Sequence, residues 1–279
     1  MTETLFEDEW MIGGHRVSGF VITYNEEDYI ENCLESLRWV DELVVVDSHS
    51  DDKTVEIARR YTDNIVFQEF LGHARQTAFA AEKTTMPWMM WLDADERLTQ
   101  QALDEIREFL SGEDADECAG MSFPRKTFFM DRWITHSGWY PKHKLRLFHR
   151  DRTEMGGEGP VPEVIAHGEV RQAEGDILHL TYPRGIVDMM DTSNDFTTRA
   201  ARVRREGGRR MSWCKLLLEP PFEFLKKFLL QLGFLDGFPG LVISAGSAYY
   251  KFIREAKMWE FDHLRHPPEF SPPELDQGA

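Results

Sequence analysis

Apolar positions in the first hundred residues come in short blocks separated by polar turns. Residues 19–24 (GFVITY) are an apolar run ending in a turn, and Ile30, Cys33, Leu34 and Leu37 then recur at helical spacing within 26–37. That predicts strand, loop, helix. Residues 42–46 (ELVVV) read as a strand buried on both faces, and Asp47-Ser-His-Ser-Asp-Asp opens a helix over 53–61. A short strand over 64–68, a helix over 73–83 and the run WMMWL (88–92), which stops at Asp93, continue the alternation. It predicts an α/β protein with a mainly parallel sheet flanked by helices. Polar clusters at 23–26, 47–52 and 93–96 fall at strand ends, where ligands of such sheets gather.

Further on, 100–110 is helical, whereas 120–150 is rich in aromatic and basic residues without helical period and reads as strands with a substrate-facing loop. From about Val187 the chain turns helical and basic, then strongly apolar over 216–252, with Pro220, Pro221, Gly233 and Pro239 as punctuation. No run there reaches the roughly 18 residues a spanning helix needs. Leu216, Phe222, Leu225, Leu229 and Leu232 beside Lys215, Lys226 and Lys227 suit a helix lying in an anionic membrane interface. The same pattern suits a helical pair packed on the catalytic domain or across a homo-oligomer. The expected division is a tail (1–17), a catalytic domain (18–186), a helical region (187–262) and a proline-rich tail (263–279).

Composition narrows the class. With 279 residues and 42% apolar content, one large catalytic domain with an appendage is expected. The net charge of −17 disfavours nucleic-acid partners, and it is uneven: residues 199–227 carry +6 and the remainder −23. Cys33, Cys118 and Cys214 are scattered without CxxC spacing, so neither a disulfide framework nor a zinc site is expected. Residues 1–10 are acidic and lack the basic and apolar regions of a secretory signal, which predicts a cytoplasmic protein.

Asp93-Ala94-Asp95 follows an apolar strand, where a turn can present carboxylates to a hard cation such as Mg²⁺ or Mn²⁺ while the alanine permits close approach of a ligand. A helix cap is the plainer reading of the same acids. Asp47 and Asp52 bracket a hydroxyl-rich turn suited to a base edge and a ribose hydroxyl, or again to a cap. Trp133, Trp139 and Tyr140 can stack on sugar rings or pack in a core, and Lys144, Arg146, Arg150 and Arg152 can meet an acidic or phosphorylated acceptor.

Taken in order, VITYNEEDYIENCLESL (21–37), VVVDSHSDDKTVEIA (44–58) and WLDADE (91–96) resemble the family 2 glycosyltransferases. FFMDRWITHSGWYP (128–141), KLRLFHR (144–150) and ILHLTYP (177–183) resemble the bacterial subgroup that adds sugars to lipopolysaccharide core. The resemblance implies a GT-A fold, an activated donor of the UDP-sugar type, Mg²⁺ or Mn²⁺ dependence, inversion at the anomeric carbon, and a lipopolysaccharide-core or other glycolipid acceptor at the inner membrane face. It further implies that Thr23, Asn25 and Glu26 line the nucleoside pocket, with Asp47 at the base or ribose and Gln76 retained nearby. Asp93 would contact ribose or diphosphate, Asp95 would ligate the metal, and His179 would offer an imidazole to metal or diphosphate. An inverting transfer needs a carboxylate base; Glu163 is the candidate and Asp131 the reserve. The chain departs from the family at His49, where glycine is usual, at Lys142, where aspartate is, and at Pro162, where histidine is. Polyprenyl-phosphate glycosyl transfer and a non-catalytic nucleotide-sugar-binding module are the rival readings.

Overall fold

The computed structural model describes residues 14–156 and 162–263, so most of the two expected tails lies outside the described residues. Strands β1 (Val17–Thr23), β2 (Glu42–Asp47), β3 (Ile65–Phe67) and β4 (Trp88–Asp93) run parallel in the order β3-β2-β1-β4. Helices α1 (Ile30–Glu35), α2 (Thr54–Ala58) and α3 (His73–Glu82) connect them. Alternate residues feed two cores: Val21, Val45 and Leu92 face α1, while Phe20, Val44, Val46 and Trp91 face α3. The continuous apolar runs are therefore strands covered on both faces. Helix α1 starts later than its pattern, and ahead of it Glu26 N–H donates to Thr54 Oγ1 (2.7 Å) and Glu27 N–H to Asp52 Oδ2 (3.1 Å), fastening the turn to the loop after β2.

Past Asp93 the sheet becomes mixed, its later strands joining the parallel first half in both directions. In chain order come β5 (Glu96–Leu98), α4 (Gln100–Ser111), α5 (Asp114–Glu117), β6 (Gly120–Phe129), β7 (Arg132–Trp133) and β8 (His143–His149), then β9 (Thr153–Gly156), β10 (Glu163–Ala166), β11 (Val170–Gln172) and β12 (Ile177–His179). Strand β8 lies antiparallel between β4 and β6, and β12 joins β6 in parallel and β5 antiparallel, setting His179 opposite Glu96. Strands β9 and β10 form a separate hairpin. The result is the GT-A type of α/β architecture with a mixed second half.

The helical region comprises α6 (Ile186–Glu206), α7 (Trp213–Leu225) with a π-turn (Lys226–Leu230), a 3-10 turn (Gly233–Asp236) and α8 (Gly237–His263). Pro220 and Pro221, expected to punctuate, lie inside α7. Among the described residues no single helix is long and apolar enough to cross a membrane; Trp213–Leu230 and Gly233–His263 form a pair bent by 71°.

Candidate active site

Strand β4 delivers Asp93 to the sheet edge, and the turn after it holds Ala94, Asp95 and Glu96. What fixes this turn is a buried cation that the sequence pattern did not single out for the purpose. Arg146, 2% exposed on β8, donates through Nη2 to Asp93 Oδ2 (2.7 Å) and to both oxygens of Glu96 (2.8 and 2.7 Å). Its guanidinium also lies 3.8 Å from the Trp91 ring centroid. The expected acceptor contact is thus a strut beneath the acidic turn. Arg150 and Arg152 are likewise committed, donating to the carbonyls of Thr84 and Cys118 (2.7 Å each).

Glu96, 1% exposed, also meets Arg125 at 3.3 Å. Burial alone would raise its carboxyl, but Arg146, Arg125 and His179 outweigh it and bring it down to about 2. Asp93 moves the other way: burial, with Glu96 and Asp95 beside it, outweighs Arg146 and raises it. Strand β12 brings His179 Nε2 to 3.2 Å from Asp95 Oδ2, with its other ring nitrogen 3.3 Å from Thr127 Oγ1. Leu180 N–H donates to the Asp95 carbonyl (2.9 Å), so two successive residues of one chain segment pin Asp95. Burial, then the charges of Asp95, Asp52 and Asp93, push Glu26 up to about 8. Four acids therefore crowd one side of the strand edge.

The other donor-side candidates are largely occupied with one another. Asp47, fully buried, accepts from Ser50 N–H (2.9 Å) and Ser50 Oγ (2.5 Å), and Asp52 accepts from Thr54 N–H (2.8 Å). Asn25 donates to Asp51 Oδ1 (2.8 Å) and accepts from Asp51 N–H (3.0 Å), at φ +54°. Gln76, fully buried, donates to Ser48 Oγ (3.1 Å) and accepts from Leu71 N–H (3.2 Å). Thr23 Oγ1 is buried without a hydrogen-bond partner among the described residues. His49 has φ +65°, the left-handed conformation that explains why glycine is usual there.

On the far side, Trp139 packs against Phe129 and Tyr182 at ring distances of 5.7 and 6.2 Å. Tyr140 hydrogen-bonds Asp176, and burial with that bond raises its phenol. Burial, reinforced by Arg125 and Lys142, lowers Lys144 to about 8. Trp139 and Tyr182 line a cleft of about 230 Å³ closed by Ser193, Glu223, Lys227 and Tyr250 of the helical region. Sequence reasoning missed the residue that joins the two parts: Asp236, 3% exposed, accepts from Thr135 N–H (3.2 Å), His136 N–H (3.1 Å) and Ser137 Oγ (3.0 Å). An acid interrupting an apolar run was its only signal. Glu163 sits exposed at the start of β10, opposite Gly156, and takes no part in the acidic network.

The donor set fits a hard divalent cation. Asp95 is part-exposed (21%), His179 offers a ring nitrogen beside it, and the charges that act on Glu26 nearby are those of acids. Among the described residues no three ligating side chains are grouped to hold a metal unaided. Mg²⁺ does not require that, because it binds through one or two carboxylates plus substrate phosphates and water.

The family model "Glycosyl transferase family 2" matches residues 18–161. The chain is 30% identical to the lipopolysaccharide core biosynthesis glycosyltransferase LpsC of Rhizobium meliloti (strain 1021), over 90% of this chain and 95% of that protein. It is 28% identical to an uncharacterized glycosyltransferase of Rickettsia typhi, over 88% of this chain and 87% of that protein. Among solved structures, S. aureus TarS 1-349 in complex with UDP-GlcNAc aligns with a TM-score of 0.44 at 14% identity, covering 90% of this chain and 93% of that one. The chain belongs to the family 2 glycosyltransferases and is an enzyme of that class.

Proposed function

We propose that the protein transfers a sugar, with inversion, from a UDP-type nucleotide sugar to a lipopolysaccharide-core-like glycolipid at the inner face of the cytoplasmic membrane. The observation that carries this reading is the Asp93–Asp95 turn at the carboxyl end of β4, with His179 held 3.2 Å from Asp95. The name of the Rhizobium relative supports the acceptor class. Asp95 and His179 would hold Mg²⁺ or Mn²⁺, which when bound neutralises charge on the leaving diphosphate. Arg146 sets the direction of Asp93 toward the ribose and diphosphate, and the turns held by Asn25, Asp47, Asp52 and Gln76 shape the nucleoside side. Glu163 is the proposed base that takes the acceptor hydroxyl's proton; its carboxylate is exposed and has no ion pair among the described residues. Asp131 suits the role less, because Arg132 at 3.2 Å lowers its pKa. The Trp139–Tyr182 cleft, with its hydroxyls and mixed charges, is the proposed acceptor site.

Calorimetric titration with UDP-glucose, UDP and GDP-mannose, with and without Mn²⁺, tests the reading. Metal-dependent UDP-type binding that Asp95→Ala abolishes is expected. Folded wild-type protein that binds no nucleotide would overturn it. Assays with oligosaccharide and lipid-phosphate acceptors then separate glycolipid from polyprenyl-phosphate transfer.

A further inference from the structure

The largest feature the transfer reading leaves unused is the outer face of α7 and the elbow after it. Trp213, Leu217, Leu218, Phe222 and Leu225 spread over one half of the circumference of α7, each between 51% and 66% exposed. Leu230 in the elbow is 76% exposed and Phe238 at the start of α8 62%. The acids of α7 point the other way: Glu219 reaches Arg254 at 2.7 Å, and Glu223 is partly buried near Lys226. No residue of α7 is buried. The helix is amphipathic with its apolar side outward, and soluble monomers rarely leave so continuous an apolar face open to water.

Charge says what covers it. Arg202, Arg209, Arg210 and Lys215 are exposed and have no acidic partner among the described residues. Arg209, Arg210 and Lys215 lie within four residues of Trp213 in the chain, and all four cations belong to the +6 segment of a chain otherwise at −23. A second copy is a poorer match: in a two-fold pair the cations of one copy would face the partner's apolar stretch, where the acids of α7 are turned inward and offer them no partner.

We propose that this face seats on an anionic bilayer surface, with Phe222, Leu225, Leu230 and Phe238 entering the headgroup–acyl boundary and the four cations meeting lipid phosphates. The acidic remainder is repelled by the same surface, so only one orientation docks. Asp236 and Lys227, which donates to the Ser137 carbonyl at 2.9 Å, tie the elbow to the loop beside Trp139. The docked molecule therefore holds its cleft next to the lipid. This deepens the glycolipid reading, and its test needs no nucleotide sugar.

The full chain is sedimented with phosphatidylcholine vesicles that contain or lack phosphatidylglycerol. Wild type should partition into the anionic vesicles at least about tenfold more strongly, and Leu225→Glu with Leu230→Glu should abolish the difference. Arg209→Gln and Arg210→Gln should each weaken binding about fivefold at low salt. Unchanged melting temperature and UDP binding in these variants exclude misfolding. Failure of wild type to partition, glutamate variants that bind anionic vesicles as strongly as wild type, or a dimer in light scattering that Leu230→Glu dissolves would each overturn the proposal. Loss of vesicle binding with metal-dependent UDP binding intact would remove the docking face alone and leave the donor site standing.

Discussion

The sheet half and the helical half bury opposite things. Around β1, β2 and β4 the side chains of Phe20, Val44, Val46 and Leu92 are wholly inaccessible, and acids gather where the strands end. Along α7 the leucines and Phe222 face outward, while Glu255 and Arg254 of α8 are 1% and 4% exposed and take up Glu219 and Arg204. The same apolar content therefore signals a core in one half and an outer surface in the other. Each half also hides a charge network, and the two differ in purpose: Arg146 braces an acidic turn at the site, whereas Arg254 lets a helix turn its acids inward.

The harshest way to break this comparison is to remove one buried charge and one exposed hydrophobe. Arg146→Met leaves Glu96 buried with Arg125 at 3.3 Å as its remaining ion pair among the described residues. A cost of about 3–5 kcal/mol in urea unfolding is expected, as for other broken buried pairs. Leu230→Glu should change stability by less than about 0.5 kcal/mol, as for an unpacked surface position. If the second variant unfolds as readily as the first, the elbow is packed and the contrast fails.

Next in size is the joint between the halves. Asp236→Ala strands the Thr135 and His136 N–H groups and Ser137 Oγ, which it holds at 3.0–3.2 Å. Hydrogen bonds to a charged group contribute about 1.5–3 kcal/mol each and do not add fully, so a loss of about 3 kcal/mol is expected. Protease should then cut first within 207–212, between α6 and α7, at a rate the Arg146→Met protein does not share.

How much of this was legible follows from the physics of each half. The strands β1, β2 and β4 were visible because a strand covered on both faces needs an unbroken apolar run, and Asp93 was visible because that run ends in acid. The mixed second half was not, since β5 and β12 are three residues long and set by pairing partners far away in sequence, and β7 is only two residues long. Arg146 was noticed only as a basic residue in an aromatic stretch; its burial depends on Glu96, fifty positions earlier in the chain. Asp236 needed the fold to bring residue 135 within reach of the elbow.

A smaller effect concerns pH on the sheet side. Glu26 titrates near 8 in the folded protein against an ordinary 4.5, because burial and four neighbouring acids disfavour its charge. Between those values the folded state holds a proton that the unfolded chain has released, so this group makes stability fall as pH rises from about 4.5 to about 8 and levels the trend outside that window. Glu26→Gln should flatten that part of the pH–melting curve in the metal-free protein, gaining on wild type as pH rises. No such change is expected from Glu260→Gln, on the exposed surface of α8.

The smallest test separates two residues that share a backbone conformation at the donor edge. Asn25 and His49 have φ of +54° and +65°, where a side chain costs about 1–2 kcal/mol and glycine little. Asn25→Gly would relieve that cost yet lose the reciprocal pair with Asp51, at 2.8 and 3.0 Å, so a net loss of about 1 kcal/mol is expected. Among the described residues His49 makes only an exposed stack on Phe67, with ring centroids 6.0 Å apart. His49→Gly trades that contact and some unfolded-chain entropy for the backbone relief, and the three should cancel to within about 0.5 kcal/mol. A melting temperature unchanged by His49→Gly but lowered by Asn25→Gly would show that the departure at 49 is tolerated by the turn, while the asparagine holds it in shape for the donor.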